Sequence, residues 1–149
     1  FMIKLSMGYP DPASEIAILK DRQGANPLND VKQVVDGKDI VMMQAETDNL
    51  HMDDAIIEYI TMLSFATRQN PLIELGVSPR GSIALAGMSK ARAYISGRTY
   101  VTPEDVQSIF KDVAGHRIIL NPRAKISSVT IDEVIDNIFR TVPVPRAMR

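Results

Sequence analysis

Helix-capping residues recur along this sequence, and several are followed directly by proline. Asp, Ser and Thr side chains accept hydrogen bonds from the free N–H groups of a helix's first turn, and proline suits the first helical position. Cap and proline together fix where a helix begins, so they divide the chain into helical segments. The predicted caps are Asp11, Asp36, Asp53, Ser78, Thr102 and Thr130, and the prolines that follow three of them are Pro12, Pro79 and Pro103.

Each predicted helix carries apolar residues at helical spacing, which indicates one buried face. The helices are predicted over about 12–23, 37–50, 54–69, 79–96 and 103–114, with a last one beginning at 131. The inward positions are predicted to be Ala13, Ile16 and Leu19; Ile40, Met43 and Thr47; Ile56, Ile60, Leu63, Phe65 and Ala66; Ala84, Gly87, Ala91 and Ile95; Val106, Ile109, Phe110 and Val113; and Ile131, Val134, Ile135 and Ile138.

The segments between and around these helices are predicted to be irregular. They are a connector at 25–35 with a short extended piece at Gln33–Val35, an extended or irregular return at 116–129, and a proline-broken tail from Thr141. The predicted fold is mainly α, a helical bundle of six helices.

The first residues follow a different pattern. Phe1, Ile3, Leu5 and Met7 alternate with other residues, and this period of two is typical of a strand. A single strand cannot satisfy its own backbone groups, so we expect residues 1–10 to be a remnant of a sheet whose other strands lie upstream. The alternative is an extended arm that lies on the helices.

Composition excludes several classes of protein. Of the 149 residues, 45% are hydrophobic and 5% aromatic, which supports an aliphatic core, and the net charge of −1 argues against a nucleic-acid binder or a protein drawn to anionic membranes. No apolar run approaches the length of a membrane span. The absence of cysteine excludes disulfides and fits a reducing compartment such as the cytoplasm.

Most polar residues have an ordinary structural explanation. The acids cluster in first turns of helices, where capping accounts for them, and His51 and His116 lack the spacing of a metal pair. His116 beside Arg117 is predicted to be a structural hydrogen-bonding residue. The sequence contains no nucleophile elbow and no glycine-rich phosphate loop. We expect no catalytic residue and no metal site here.

Arg80 is the residue that these explanations leave over. It lies in the first turn of the helix that Ser78 caps and Pro79 begins, where the helix dipole disfavours a cation. If a phosphate binds at that helix end, the arginine becomes a ligand, because its planar guanidinium suits phosphate oxygens. The alternative is a solvated arginine that tolerates its position.

Four stretches in order resemble the carboxy-terminal half of MoxR-type AAA+ ATPases. The resemblance covers nearly the whole chain. The stretches are "FMIKLSMGYPD", "HMDDAIIEYITMLSFATR", "GVSPRGSIAL" with "ARAYISGRTYVTPEDV", and "HRIIL".

The resemblance implies that residues 11–149 form the helical lid and that residues 1–10 leave the last strand of the ATPase core. It further implies that Arg80 is the sensor 2 arginine, supported by Ser78 and Pro79, and that ATP is the cofactor, with Mg²⁺ held by the core upstream. Members form homo-oligomeric rings and act as chaperone-like remodellers, often with von Willebrand factor A domain partners. The phosphate loop and arginine finger of the family have no counterpart in this chain, so we expect the chain alone to be inactive.

One other class of function stays open at this stage. A self-contained helical protein-interaction module, in which Arg80 has no nucleotide role, would show the same caps and the same apolar periodicity. The sequence upstream of Phe1 would discriminate between the two.

Overall fold

A computed structural model describes residues 1–24 and 26–145 and confirms a mainly helical fold. More than half of the residues lie in helices, and a small antiparallel sheet joins two of the connections. The elements are α1 (Pro12–Asp21), a 3₁₀ turn (Pro27–Asp30), α2 (Gly37–Asp48), α3 (Asp54–Gln69), β1 (Ile73–Leu75), α4 (Pro79–Ile95), α5 (Pro103–Ala114), β2 (Ile119–Leu120), α6 (Pro122–Ile126) and α7 (Ile131–Thr141).

The chain divides into two units, of which the N-terminal unit is Leu5–Gln44. Asp11 caps α1 as predicted, with its Oδ1 accepting from the Ser14 N–H at 2.7 Å. The predicted inward face of α1 is wrong: Ala13, Ile16 and Leu19 are all exposed, and neither α1 nor the 3₁₀ turn buries any residue. Periodicity marks a face that can be buried, but burial needs a second surface.

Helix α2 shows the same lack of burial. It ends at Asp48 rather than Leu50, and Ile40, which was predicted to face inward, is exposed. Met43 and Thr47 are half-buried. The extended piece predicted at 33–35 forms no strand in the described structure.

The main unit comprises Phe1–Lys4 and, among the described residues, 45–145. Its core is formed mainly by α3, α4, α5 and α7, and the predicted inner faces of α5 and α7 are confirmed except that Ile109 and Ile131 are only partly buried. Phe110 is fully buried and meets Phe139 edge to face, with ring centroids 5.3 Å apart. The buried residues of these two helices include Val106, Phe110, Val113, Val134, Ile135 and Ile138.

Helix α3 buries a face close to the predicted one. Ile56, Ile60 and Leu63 are buried as predicted, Ala66 is half-buried, and Phe65 was wrongly placed inward, since its exposed fraction is 46%. The position that turns inward beside it is Ser64, whose polarity concealed it from a search for apolar periodicity.

The face that α4 buries differs from the predicted one. Ala84 is buried, but Gly87 and Ala91 are only half-buried and Ile95 has an exposed fraction of 79%. The buried stripe instead runs through Gly81, Leu85, Ser89 and Ala93, each four residues from the last. Helix α4 is in contact with both α3 and α5, and small side chains on a buried stripe let neighbouring helices approach closely.

The return segment is more ordered than predicted. Its residues Ile119–Leu120 pair with Ile73–Leu75, and Asn121 then caps α6 by accepting from the Ala124 N–H at 2.9 Å. Asn121-Pro122 is another cap followed by proline, so the sequence carried the signal for this helix. The proline-broken tail follows α7, and its residues 146–149 lie outside the described residues.

The first residues form no strand in the described structure. Lys4 donates its N–H to the carbonyl of Asp112 at 2.9 Å, and Ile3 packs partly buried against the core of the main unit. Of this stretch, residues 1–4 thus lie along the main unit in the way that the alternative, an extended arm, describes. That residues 1–10 belong to a core sheet in a longer protein stays a prediction.

We expect Phe110→Ala to lower the free energy of unfolding by about 3–5 kcal/mol, because it removes a fully buried ring and leaves a cavity. The matched control is Phe65→Ala on the half-exposed face of α3, which should cost far less. Chemical denaturation measures both. Equal losses would contradict the placement of these two rings.

A second prediction concerns Arg98 and Asp105, which form a bidentate ion pair, with Arg98 Nη1 at 2.6 Å from Asp105 Oδ2. Burial alone would raise the pKa of Asp105, but hydrogen bonds from Arg98 and Thr102 outweigh it and hold the pKa below its usual range. The pair therefore stabilises the fold above about pH 4, the unfolded pKa, and this contribution is lost as pH falls through the lowered folded pKa.

We therefore expect Asp105→Asn to destabilise the protein by about 2 kcal/mol at pH 7, and the gap from the natural protein to close below about pH 4. Asp132→Asn, which breaks the exposed pair of Lys111 and Asp132, is the control and should have a much smaller effect. Denaturation curves across this pH range measure both, and a gap that stayed constant down to pH 2 would contradict the prediction.

Candidate functional site

The candidate site is the start of α4, where the predicted cap is confirmed. Ser78 Oγ accepts from the Gly81 N–H at 3.3 Å, while the Ser78 carbonyl accepts from Gly81 at 2.8 Å and from Ser82 at 3.1 Å. Pro79 is the first helical residue and Arg80 the second. Arg80 is exposed, so its guanidinium is accessible to a ligand.

Arg80 lines an open groove of about 550 Å³ together with a second arginine, Arg117. The other lining residues are apolar: Phe1, Met2, Ile83 and Ala84. Two guanidinium groups and the positive end of a helix therefore share one groove, and no carboxylate belongs to its lining or to the first turn of α4. This charge distribution favours an anion.

Arg117 was not predicted as a site residue. Its Nη2 donates to the Phe1 carbonyl at 2.7 Å, and its Nη1 donates to the carbonyls of Met2 at 3.2 Å and Val113 at 2.5 Å. The side chain crosses the first turn of α4 so closely that a Cβ on Gly81 would lie 3.3 Å from Arg117 Cδ. Only the fold shows that Arg117 and Arg80 are neighbours.

The two histidines have structural partners. His116 Nδ1 donates to the carbonyl of Asp112 at 3.1 Å and its Nε2 contacts Arg117, which agrees with the structural role predicted for it. The backbone of His51 pairs with the Thr99–Val101 segment. Among the described residues, no cluster of three or more His, Asp or Glu side chains could hold a metal ion.

The end of α3 holds the loop that leads into Arg80. Thr67 Oγ1 accepts from the Val77 N–H at 2.9 Å and donates to the Ser64 carbonyl at 2.6 Å, and Arg68 Nε donates to the Val77 carbonyl at 2.6 Å. Both backbone groups of Val77 are thus bound by adjacent residues of α3. The position of the cap at Ser78 follows directly from this clamp.

Gly76 allows the clamp to form. A Cβ at this position would lie 2.8 Å from the backbone of both Thr67 and Arg68, closer than any side chain could fit. The loop can therefore approach α3 only with glycine here. Sequence patterns do not point to Thr67, Arg68 or Gly76, since an isolated threonine, arginine or glycine gives no pattern to detect.

Comparison with known proteins identifies the class of domain that contains this site. Residues 65–138 match the family model of the AAA lid domain. The match includes the clamp, Arg80 and Arg117.

Similarity to individual proteins extends over almost the whole chain. It is 37% identical over 97% of its length to the uncharacterized protein YeaC of Bacillus subtilis, and 30% identical over 98% to Chaperone MoxR1 of Mycobacterium tuberculosis. It also matches the crystal structure of an inferred ATPase from Cytophaga hutchinsonii, with 29% identity, a TM-score of 0.87 and 98% of the chain covered.

The chain spans 45%, 41% and 47% of these three proteins, respectively. It belongs to the MoxR-type family of AAA proteins, and its main unit contains the family's lid domain. Across the described ranges, 1–24 and 26–145, no helix has both the length and the apolar character needed to cross a bilayer.

The clamp generates a prediction about the fully buried Thr67. Thr67→Val keeps the shape of the side chain but leaves the Val77 N–H without its acceptor, which should cost about 1–3 kcal/mol. Thr61→Val on the same helix is the matched control, because Thr61 is exposed and bonds only within the helix, to Ile57. Urea denaturation should separate the two variants, and equal stability would show that the clamp contributes nothing.

Proposed function

We propose that this chain is the lid of a MoxR-type ATPase and that Arg80 is its sensor 2 arginine, contacting the γ-phosphate of ATP. The observation that carries the proposal is the placement of Arg80: exposed, in the first turn of α4, in a groove that holds a second arginine and no lining carboxylate. Ser78 and Pro79 support it by fixing the start of the helix.

The electrostatics of the groove agree with this role. A cation at the amino end of a helix is unfavourable on its own, and Arg117 adds a second positive charge. A phosphate group would reverse both penalties, since it would accept charge-assisted hydrogen bonds from the guanidinium and interact favourably with the helix dipole. The site is therefore built at a cost that an anionic ligand offsets.

ATP hydrolysis itself needs groups that this chain does not supply. Its sequence contains no phosphate loop, so in this proposal the upstream core of a longer protein binds Mg²⁺ and most of the nucleotide. The lid contributes Arg80 when it closes over the bound ATP. Because the contact strengthens as charge develops on the transferring phosphoryl group, Arg80 would assist turnover more than binding.

The wider context follows from the relatives and is part of the proposal. We infer that the whole protein assembles as a homo-oligomeric ring with ATP between neighbouring subunits. It would act in remodelling other proteins, as the name Chaperone MoxR1 suggests for that relative. A von Willebrand factor A domain protein is a candidate partner, and the cytoplasm, where ATP is abundant, is the expected compartment.

The test uses the longer open reading frame that the proposal requires. Arg80→Ala should lower ATP turnover strongly, by up to about 10³–10⁵-fold if Arg80 resembles other phosphate-contacting arginines. Arg80→Lys should rescue poorly, because an ammonium keeps the charge but loses the planar donors. Arg92→Ala is the matched control: Arg92 is an exposed arginine in the last turn of the same helix, and its removal should leave turnover unchanged.

Thermal melts of this chain carrying the same substitutions separate function from folding. Arg80→Ala should leave the melting temperature unchanged or slightly raised, because a cation leaves the positive end of a helix. A large fall in the melting temperature with unchanged turnover per folded ring would make Arg80 a structural residue. That result would favour the self-contained interaction module.

A further inference from the structure

We propose that Arg117 is a positioning residue that latches the segment Phe1–Lys4 onto the lid beside Arg80. Its part in catalysis rests on the proposed function, while the latch itself is a property of this chain. Arg117 touches no nucleotide in this proposal. It acts by fixing where the chain enters the lid, and thereby where Arg80 lies relative to the upstream core.

The hydrogen bonds of Arg117 carry the proposal. One guanidinium binds the carbonyls of Phe1, Met2 and Val113, so it connects the first residues of the chain to the carboxyl end of α5. Among the described residues it forms no ion pair with a carboxylate. Besides its contact with His116, the guanidinium binds backbone carbonyls, and two of these lie on a distant segment, so the side chain is arranged to hold that segment.

Apolar packing does little to hold the same segment. Phe1 is fully exposed and Met2 is more than half exposed, while Ile3 packs partly buried against the core. The remaining attachment is the hydrogen bond from the Lys4 N–H to Asp112. Within the described part of the chain, removing Arg117 would delete two of the three hydrogen bonds that join residues 1–4 to the rest of the main unit.

The latch lies beside the candidate sensor. Arg117 passes over Gly81, the residue that follows Arg80, and both arginines line the same groove as Phe1 and Met2. A shift of the segment relative to α4 would therefore change the groove in which Arg80 lies. In a closing lid, this is the place where movement of the core would be passed to the sensor.

The chemistry requires arginine. A planar guanidinium reaches three carbonyls from different directions, whereas the compact ammonium of lysine on a flexible stem holds them less rigidly. In Arg117→Lys, the side chain should therefore hold the segment Phe1–Lys4 less firmly than arginine does. Arg117→Met keeps the stem that packs over Gly81 and removes every donor, which makes it the cleaner deletion.

The first experiment measures amide hydrogen exchange by NMR in this chain. In Arg117→Met, the Lys4 amide should exchange at least tenfold faster, with Arg117→Lys intermediate and the amides of α7 unchanged. Arg123→Met is the control, since Arg123 is exposed and its side chain has no hydrogen bond within the part of the chain that the structure describes. Unchanged protection at Lys4 overturns the latch. If Arg117→Met does not fold, the amides of α7 will lose their protection. In that case, faster exchange of the Lys4 amide in Arg117→Lys supports the latch and unchanged exchange overturns it.

The second experiment measures ATP kinetics in the longer protein. Arg117→Met should lower kcat at least fivefold, because it misplaces Arg80, whereas Arg117→Lys, which keeps the positive charge in the groove, should retain more of the activity. If Arg80→Ala lowers kcat and Arg117→Met does not, Arg117 has no positioning role and the proposal is wrong. If Arg80→Ala leaves kcat unchanged, the proposed function fails instead, and the exchange experiment alone decides whether the latch exists.

Discussion

The clamp on Val77 is the interaction on which the candidate site depends. Thr67 and Arg68 bind the two backbone groups of one residue, and this fixes the loop between β1 and α4 to within hydrogen-bond length of α3. Because the cap at Ser78 follows directly, α4 has one defined starting point. The place of Arg80 in the first turn depends on where that helix begins.

The clamp also explains why a charged groove can exist on a small helical unit. Buried polar groups cost free energy unless they are paired, and here Thr67 satisfies the Val77 N–H while itself donating to Ser64. The polar groups of the clamp therefore form hydrogen bonds with one another. The guanidinium of Arg80 lies at the surface beyond them, where hydration makes an unpaired cation tolerable until an anion binds.

Local patterns predicted the helix starts well because capping is a local interaction. Asp11, Asp53, Ser78 and Thr130 cap helices as expected, since the cap and the N–H it accepts lie within three residues of each other. Inner faces were predicted well on α5 and α7, whose large aliphatic residues leave one choice of face. On α4 only Ala84 of the predicted face is buried, because alanine, glycine and serine fit several faces and packing against the neighbouring helices selects among them.

The family and the candidate arginine followed from the sequence alone, because a helix start and an ordered set of motifs are linear features. The surroundings of that arginine could not be predicted from the sequence. Arg117, Gly81 and the segment Phe1–Lys4 come together only when the chain folds, and a contact between residues more than a hundred positions apart leaves no local pattern. The sequence therefore determined where each helix begins, and it showed that Arg80 lies at a helix end where a cation is unfavourable. The tertiary structure decided which groups surround it, since hydrogen bonds between distant segments depend on packing that no local spacing encodes.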